Sequence, residues 1–376
     1  MYGYNILKVL TLSIVVLGVC IFTSSLAVKD LSATINTKQL LPGGDDDKPA
    51  EEVYKNIQVL KGMPAGELRN VMQFMRASLN VSCAFCHVHN ETDHTWNWES
   101  DSIEEKNVTR KMIEMVKSIN TAHFEGNNAV TCYTCHNGNE HPMRTPPLPQ
   151  HMAEEENRQP VNPPDIAVLF SNYEKAVNNG NPAELKTKYS KGTVTGMDGK
   201  PYPVEIYQQA PDKYLSITTT PEGKTYKGFD GTTGWMKNNS GVKEITGFQL
   251  QQLKQFADFY GDMNLSSRYT DTRFIGTDTA NGSECYVIRC IIDDKTSARL
   301  YFDMNSGLLS RKNVFTKSFM GNIPERTDYL AYQGSGLQYP TVLNFYYIDP
   351  WSETSRTLSE VKYNVPLDGI VFSKPA

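Results

Sequence analysis

The sequence predicts a multidomain protein of class α plus β, in which a small helical domain precedes a larger antiparallel β domain with one or two helices. Between residues 51 and 141, apolar residues recur at helical spacing in two similar stretches. Beyond residue 165 the pattern changes to short alternating runs separated by turn sequences. A proline-rich linker at 142–164 lies between the two patterns, and 376 residues suffice for two such domains.

The N-terminal 50 residues are expected to lie outside the folded domains. Residues 1–27 contain a mostly apolar stretch at 9–22, which is typical of a signal peptide or an uncleaved N-terminal anchor and is shorter than the ~20 residues of a membrane-spanning helix. Lipoprotein processing at Cys20 is a third alternative. Each alternative places the folded part outside the cytoplasm, in the periplasm, attached to the membrane facing it, or extracellular. Residues 28–50 form a polar leader.

The composition excludes several classes of protein. A single long apolar run is incompatible with a multi-pass membrane protein. The net charge of −5 and the lack of a Lys/Arg cluster argue against a nucleic-acid-binding surface. With 10% aromatic and 21% charged residues, the chain does not have the composition of a disordered protein.

Two CxxCH motifs indicate the chemistry of the helical domain. They comprise Cys83, Cys86 and His87, and Cys132, Cys135 and His136. Two thiols at this spacing can reach the two vinyl groups on one edge of a porphyrin, and the adjoining His can then bind the iron. A thioredoxin-like pair or a four-thiolate zinc site is the alternative, although neither requires a His after both pairs. The motifs therefore predict two covalently bound haem c groups, attached through the four cysteines and ligated by the two histidines.

The stretch before each motif is repeated. Residues 71–80 align without gaps on residues 111–120, and both copies read Met-x-x-Met-x-x-Ser-(Leu/Ile)-Asn. Each unit is a helix, a turn and a CxxCH motif, with both methionines on the apolar stripe of the helix. Methionines at helical spacing usually belong to a core, but a thioether also completes His/Met haem ligation and closes the position that peroxide chemistry requires. The predicted sixth ligands are Met72 and Met112, with Met75 and Met115 as alternates that pack on the porphyrin face.

Two further stretches extend this pattern, residues 54–60 (YKNIQVL) before the first helix and residues 130–138 (VTCYTCHNG) around the second motif. Together with the repeat, they make residues 53–147 resemble the cytochrome c subunit family of photosynthetic reaction centres. The resemblance implies a haem on each unit, with Met72 opposite His87 and Met112 opposite His136. Family members carry four haems, whereas this sequence has two motifs and a sheet domain in place of their second half.

The other histidines are weaker candidates for iron ligands. His123 is expected to be an ordinary exposed residue, and His89 and His94 to be solvated or to lie at a haem edge. His141 and His151 become alternative ligands only if the proline-rich linker folds back.

The β domain is predicted from alternation and turn sequences. The expected strands are 192–196, 204–209, 214–220, 225–229, 285–292, 298–303, 308–315, 327–333, 340–348 and 355–364, with helices at 164–178 and 248–260. The turn sequences at 229–235 (FDGTTGW) and 302–309 (FDMNSGLL) resemble those of the outer-membrane lipoprotein carrier family. This resemblance implies a half-barrel with an apolar concave face that holds an acyl chain, a quinone-like molecule or a segment of a partner. A docking or spacer domain with a filled interior is the alternative.

Cys285 and Cys290 are expected to be separate buried thiols. Five residues of regular strand place them on opposite faces and ~16 Å apart, whereas a disulfide needs Cα atoms within about 7 Å.

The sequence as a whole predicts an extracytoplasmic electron-transfer protein rather than an enzyme. The alternatives are a haem enzyme, such as a peroxidase or reductase with one open haem, and a binding protein that combines a lipophilic ligand with redox-active haems. Four ionised haem propionates would add to the net charge of −5, which favours redox partners with a basic docking face.

Overall fold

The computed structural model describes residues 45–92, 95–145, 162–196, 199–269, 271–348 and 355–375. The signal peptide or anchor, Cys20, most of the polar leader, His94, His151 and the centre of the proline-rich linker lie outside these residues. Across the described ranges, no helix has an apolar stretch long enough to cross a bilayer. The described residues belong to one compact unit, and the boundaries expected within it stay a prediction.

The helical part has the two predicted repeats of helix, turn and motif. It contains α1 (Ala50–Val53), α2 (Leu68–Leu79), α3 (Glu104–His123) and α4 (Cys132–His136). A short antiparallel pair, β1 (Val88–His89) and β2 (Trp96–Asn97), follows the first motif. Helix α2 ends at Asn80 and α4 at Asn137, both in the left-handed conformation that asparagine tolerates at a helix C-terminus.

The β part is one antiparallel sheet of 13 strands, which confirms the predicted fold class. The strands of its first half are β3 (Thr187–Thr195), β4 (Pro201–Gln209), β5 (Lys213–Thr220), β6 (Gly223–Phe229), β7 (Gly234–Asn238) and β8 (Gly241–Glu244). Those of its second half are β9 (Asp271–Ala280), β10 (Ser283–Ile291), β11 (Thr296–Asp303), β12 (Leu309–Ser318), β13 (Gly321–Gln333), β14 (Tyr339–Tyr347) and β15 (Ser355–Tyr363). Each half is a meander, and the halves join where β3 pairs with β15.

Strands β8 and β9 form opposite edges of the sheet, so the chain between them has to cross one face. This crossing carries α6 (Gly247–Ala257) and α7 (Leu265–Arg268), whereas α5 (Ile166–Asn178) precedes the sheet. Phe170 and Tyr173 of α5 pack with Phe302 of β11 in one core, and Leu250 and Leu253 of α6 pack in a second core. Both helix-covered cores lie on the sheet, as expected for an amphipathic element that buries its apolar stripe.

The tip of the β12–β13 hairpin connects the sheet to the helical part. Met320 and Ile323 are buried in one cluster with Val71 and Phe74 of α2. Polar contacts surround this cluster: the Phe319 backbone N–H donates to Glu67 Oε2 at 3.1 Å, and Asn128 Nδ2 donates to the Ser318 carbonyl at 3.1 Å. Lys117 Nζ lies 4.4 Å from the centroid of the Phe319 ring. Sheet and helices therefore share a core.

We expect Met320→Ala to lower the free energy of unfolding by about 2–3 kcal/mol. This value is in the lower part of the range for truncating a buried apolar side chain, because a hairpin tip can partly collapse into the space left by the side chain. Met320 is only 2% exposed. Urea unfolding followed by circular dichroism measures the change, and exposed Met143→Ala is the matched control. Equal stability of the two variants would show that the hairpin does not dock on the helices in solution.

Candidate functional site

The first CxxCH motif forms a compact 3-10 turn, Cys83–Phe85, directly after α2. The turn is closed by the His87 backbone N–H, which donates to the Cys83 carbonyl at 3.0 Å. Both motif cysteines are half-buried, and Cys86 Sγ lies 3.8 Å from Thr109 Oγ1 of α3. Burial raises the pKa of Cys86. The first motif therefore places the Cys86 thiol beside the helix of the second unit.

The His87 ring is held by its Nδ1 atom. Nδ1 lies 3.2 Å from the Trp98 carbonyl oxygen, and since a carbonyl can only accept, Nδ1 carries the proton. Burial lowers the pKa of His87 and Lys106 lowers it further, against the opposing effect of that carbonyl. The imidazole is therefore neutral with a free Nε2 lone pair, the form that binds a metal.

The second motif repeats this arrangement on a helix. Helix α4 begins with a turn in which the Thr131 N–H donates to Thr134 Oγ1 at 3.0 Å. His136 Nδ1 lies 3.0 Å from the Asn139 carbonyl oxygen, so here too Nδ1 donates and Nε2 is free. Burial raises the pKa of Cys132, which is half-buried, whereas Cys135 is exposed.

The two units are in direct contact. The Gly138 N–H, just after the second motif, donates to the carbonyl of Ser78 near the end of α2 at 3.0 Å. Cys132 packs against the apolar cluster that α2 forms with the hairpin tip. Buried Asn120 fixes the entry to the second motif, since its side chain exchanges two hydrogen bonds with the Val130 backbone, at 2.8 and 2.9 Å. The second motif is thus anchored on the helix of the first unit.

The methionine stripes differ between the two helices. In α2, Met75 is 8% exposed within the apolar cluster, and Met72 is half-buried against it. In α3, Met112 and Met115 are 38% and 43% exposed, in one row with exposed Val108. Helix α3 instead buries Ile113 and Val116 towards the protein. The predicted stripe of α3 is therefore split, and its methionine row faces outward.

The donor groups fit haem c better than zinc. Among the described residues, no three His, Cys, Asp or Glu side chains converge as a metal-binding group, so the four thiols do not form one site. Two histidines with free Nε2 atoms and an exposed apolar row on α3 are the features that a porphyrin and its iron require. Of the weaker candidates, His123 is exposed in the last turn of α3, and His141 is exposed beside Glu140.

An aromatic stack next to the first motif was not anticipated from the sequence. The Trp98 ring packs edge-on against His87 with centroids 5.1 Å apart, and it stacks on Trp96 at 4.5 Å with planes 5° apart. Trp96 in turn lies 4.3 Å from the His89 ring. Trp98 is exposed. The sequence offers a signal in two tryptophans that lie two residues apart in a polar loop, because extended backbone points such side chains to the same side. In the structure, Trp96 belongs to β2 and Trp98 follows its end.

Comparison with known families agrees with the helical part of this description. Residues 24–175 match the family described as "Photosynthetic reaction centre cytochrome C subunit". The photosynthetic reaction center cytochrome c subunit of Thermochromatium tepidum is 42% identical over 108 residues, 27% of this chain and 25% of that protein. The corresponding subunit of Rubrivivax gelatinosus is 32% identical over 122 residues, 30% of this chain and 31% of that protein. Cytochrome c-554 of Chloroflexus aurantiacus is 36% identical over 89 residues, 22% of this chain and 20% of that protein.

The chain therefore spans less than a third of the length of these relatives, and the resemblance predicted for its helical part is confirmed. Solved structures similar to the chain include a LolA superfamily protein from Nitrosomonas europaea, at 15% identity, covering 55% of this chain and 97% of that one with a TM-score of 0.38. A DUF1329 family protein from Desulfovibrio piger covers 53% of this chain and 94% of that one, at 15% identity and a TM-score of 0.38.

Proposed function

From the match of residues 24–175 to the photosynthetic reaction centre cytochrome c subunit family, we propose that this protein transfers electrons outside the cytoplasm through two covalently bound haem c groups. Each haem supplies a one-electron redox centre. One observation carries the proposal: both motif histidines donate from Nδ1 to a backbone carbonyl, which orients Nε2 as an iron ligand. The protein acts as an electron carrier and not as an enzyme.

The ligand assignment follows from position and burial. Cys83 and Cys86, and Cys132 and Cys135, would attach the two haems through thioether bonds, and His87 and His136 would bind the two irons. Met72 and Met112 would supply the second protein ligand of each iron. In α2, burial supports this choice, because Met75 is packed inside the apolar cluster whereas Met72 lies at its margin. In α3, exposure does not separate Met112 from Met115, and the repeat alone favours Met112.

The geometry supports the tryptophan stack as the route by which electrons pass between the first haem and a partner protein. Trp98 contacts His87 through both its ring and its carbonyl, and its ring reaches the surface. Exposed Glu91 lies close to it in sequence, whereas Glu99 is paired with exposed Lys55 at 3.2 Å. The net charge of −5 supports a redox partner that docks with a basic face.

The experiment that tests the proposal is spectroscopy of the full chain, produced in a host that attaches haem c. We expect two haems per chain that resist acid extraction, low-spin iron, and a methionine–iron charge-transfer band in the near infrared. A protein that contains zinc and no haem would refute the proposal. One high-spin haem that reacts with carbon monoxide or peroxide would instead indicate an enzyme.

A further inference from the structure

A cavity of about 160 Å³ lies on the helix-covered face of the sheet, between α5, α6 and the chain that follows α6. Its walls combine two kinds of residue. Apolar and aromatic side chains, among them Phe256, Phe345 and Leu343, form one part. Polar side chains such as Gln208 and Gln255 and several charged side chains form the rest. This interior is therefore not the purely apolar surface that the resemblance to the lipoprotein carriers implied.

Both carboxylates among the described residues of the lining are paired with other side chains. Of its two carboxylates, Asp262 forms an ion pair with Lys312 and accepts a hydrogen bond from Tyr329 Oη at 2.7 Å. The other, Asp258, pairs with Arg268. Burial would raise the pKa of Asp262, but Lys312 and Tyr329 lower it below its ordinary value, so this carboxylate is ionised and engaged.

Lys188 of β3 supplies a cation that has no carboxylate partner among the described residues. Its ammonium lines the cavity and lies 5.6 Å from the centroid of the Tyr363 ring, with no hydrogen bond or ion pair to a described residue. Burial, reinforced by the positive charge of Arg356, lowers the pKa of Lys188 to about 8, although Asp262 acts in the opposite direction.

Arg356 places a second positive charge in the same cavity. Its guanidinium lies 4.9 Å from the ring centroid of Phe256 and 5.5 Å from that of Phe345, and it donates to Tyr214 Oη at 3.4 Å. Taking an ammonium out of water beside a like charge is costly unless an anion accompanies it. With Asp262 and Asp258 engaged by Lys312 and Arg268, no carboxylate of the described lining is left to pair with the ammonium of Lys188, which lies next to aromatic walls.

We propose that this cavity binds a small organic monoanion, a carboxylate on an aromatic body, with Lys188 as its counter-ion. The carboxylate would lie between Lys188 and Arg356, and the body against Phe256, Phe345 and Leu343. The volume suits a single ring, since an engineered cavity of ~150 Å³ accommodates benzene. This site is independent of the haem motifs.

Titration calorimetry of the full chain with sodium benzoate tests the proposal, with benzamide as the neutral analogue of the same shape. We expect saturable binding of one benzoate per chain and affinity for benzamide weaker by about tenfold or more, because the amide cannot pair with Lys188. Octanoate should bind more weakly than benzoate, because its chain loses more conformational freedom on binding and cannot stack on the aromatic rings. Absence of saturable benzoate binding, or equal affinity for benzamide, would overturn the proposal. Stronger binding of octanoate than of benzoate would show that the cavity does not prefer an aromatic ligand.

Variants locate the site. Lys188→Met keeps an unbranched side chain of nearly the same length without the charge and should weaken benzoate binding by about tenfold or more. Lys188→Arg keeps the charge and should retain binding. Lys191→Met changes an exposed lysine of the same strand and should bind benzoate as the parent protein does. Unchanged binding by a folded Lys188→Met protein would place the anion elsewhere. If that variant does not fold, the comparison of benzoate with benzamide on the parent protein still tests whether the protein binds the anion in preference to its neutral analogue.

Discussion

Replacing Met72 with alanine is expected to remove the sixth ligand of one iron and to abolish about half of the methionine–iron absorption in the near infrared. The other half, from the second unit, should persist. A six-coordinate iron that loses its thioether either binds water and becomes high-spin or recruits another donor, and both outcomes are visible in electron paramagnetic resonance. The haem content should stay at two per chain, because attachment depends on the cysteines.

Met75→Ala is the matched control, since it removes the same side chain one turn further along α2. It should keep the near-infrared band and instead lower the free energy of unfolding by about 2–5 kcal/mol, because Met75 is 8% exposed inside the apolar cluster. The reverse pattern, with the band lost in Met75→Ala and kept in Met72→Ala, would exchange the two assignments. Retention of the full band in both variants would remove α2 as the source of the ligand.

The same comparison in α3 uses Met112→Ala and Met115→Ala. These methionines are 38% and 43% exposed, so a loss of stability cannot separate them as it does in α2. Only the spectrum distinguishes them, and we expect the band to be lost with Met112. If the band is instead lost in Met115→Ala, the two repeats take their iron ligand from different methionines of the same sequence pattern.

Local patterns explain why much of the fold could be predicted. The repeated stretch ahead of each CxxCH motif predicts both long helices of the first part, because apolar periodicity is a property of neighbouring residues. Alternation predicts every central strand of the sheet for the same reason. Strands β7, β8 and β9 escaped prediction because they lie at or next to the two edges, where alternation is weak: Asp271–Ala280, for example, has few buried side chains.

Contacts between distant parts of the chain could not be predicted. Nothing near Met320 in the sequence indicates that it packs on Phe74, 246 residues away in numbering. Likewise, the surroundings of Lys188 depend on the pairing of β3 with β15, from the far end of the chain. The motif cysteines and histidines were identifiable because their chemistry is encoded in five consecutive residues, whereas the partner of His87, Trp98, depends on how the following loop folds.

Replacing Asp328 with asparagine is expected to lower the free energy of unfolding by about 3–5 kcal/mol, the range for removing one partner of a buried ion pair. Asp328 is 2% exposed on β13. Arg311 Nε, on the paired residue of β12, donates to Asp328 Oδ1 at 2.6 Å, and Arg326 Nε donates to the same oxygen at 2.9 Å. The variant leaves the largely buried Arg311 guanidinium without a counter-charge, whereas Arg326 can turn to solvent.

The pH dependence of stability gives a second measurement of the Asp328 ion pair. Burial alone would raise the pKa of Asp328, but the hydrogen bonds from Arg326 and Arg311 outweigh it and hold the pKa below its ordinary value. The stabilisation is therefore complete above the unfolded pKa of about 3.9 and is lost as the pH falls through the lower folded value. Urea unfolding from neutral to acidic pH should show the parent protein and Asp328→Asn converging in acid. Exposed Asp294→Asn is the control, and a difference between parent and Asp328→Asn that persists unchanged below the folded pKa would contradict the role of this charge.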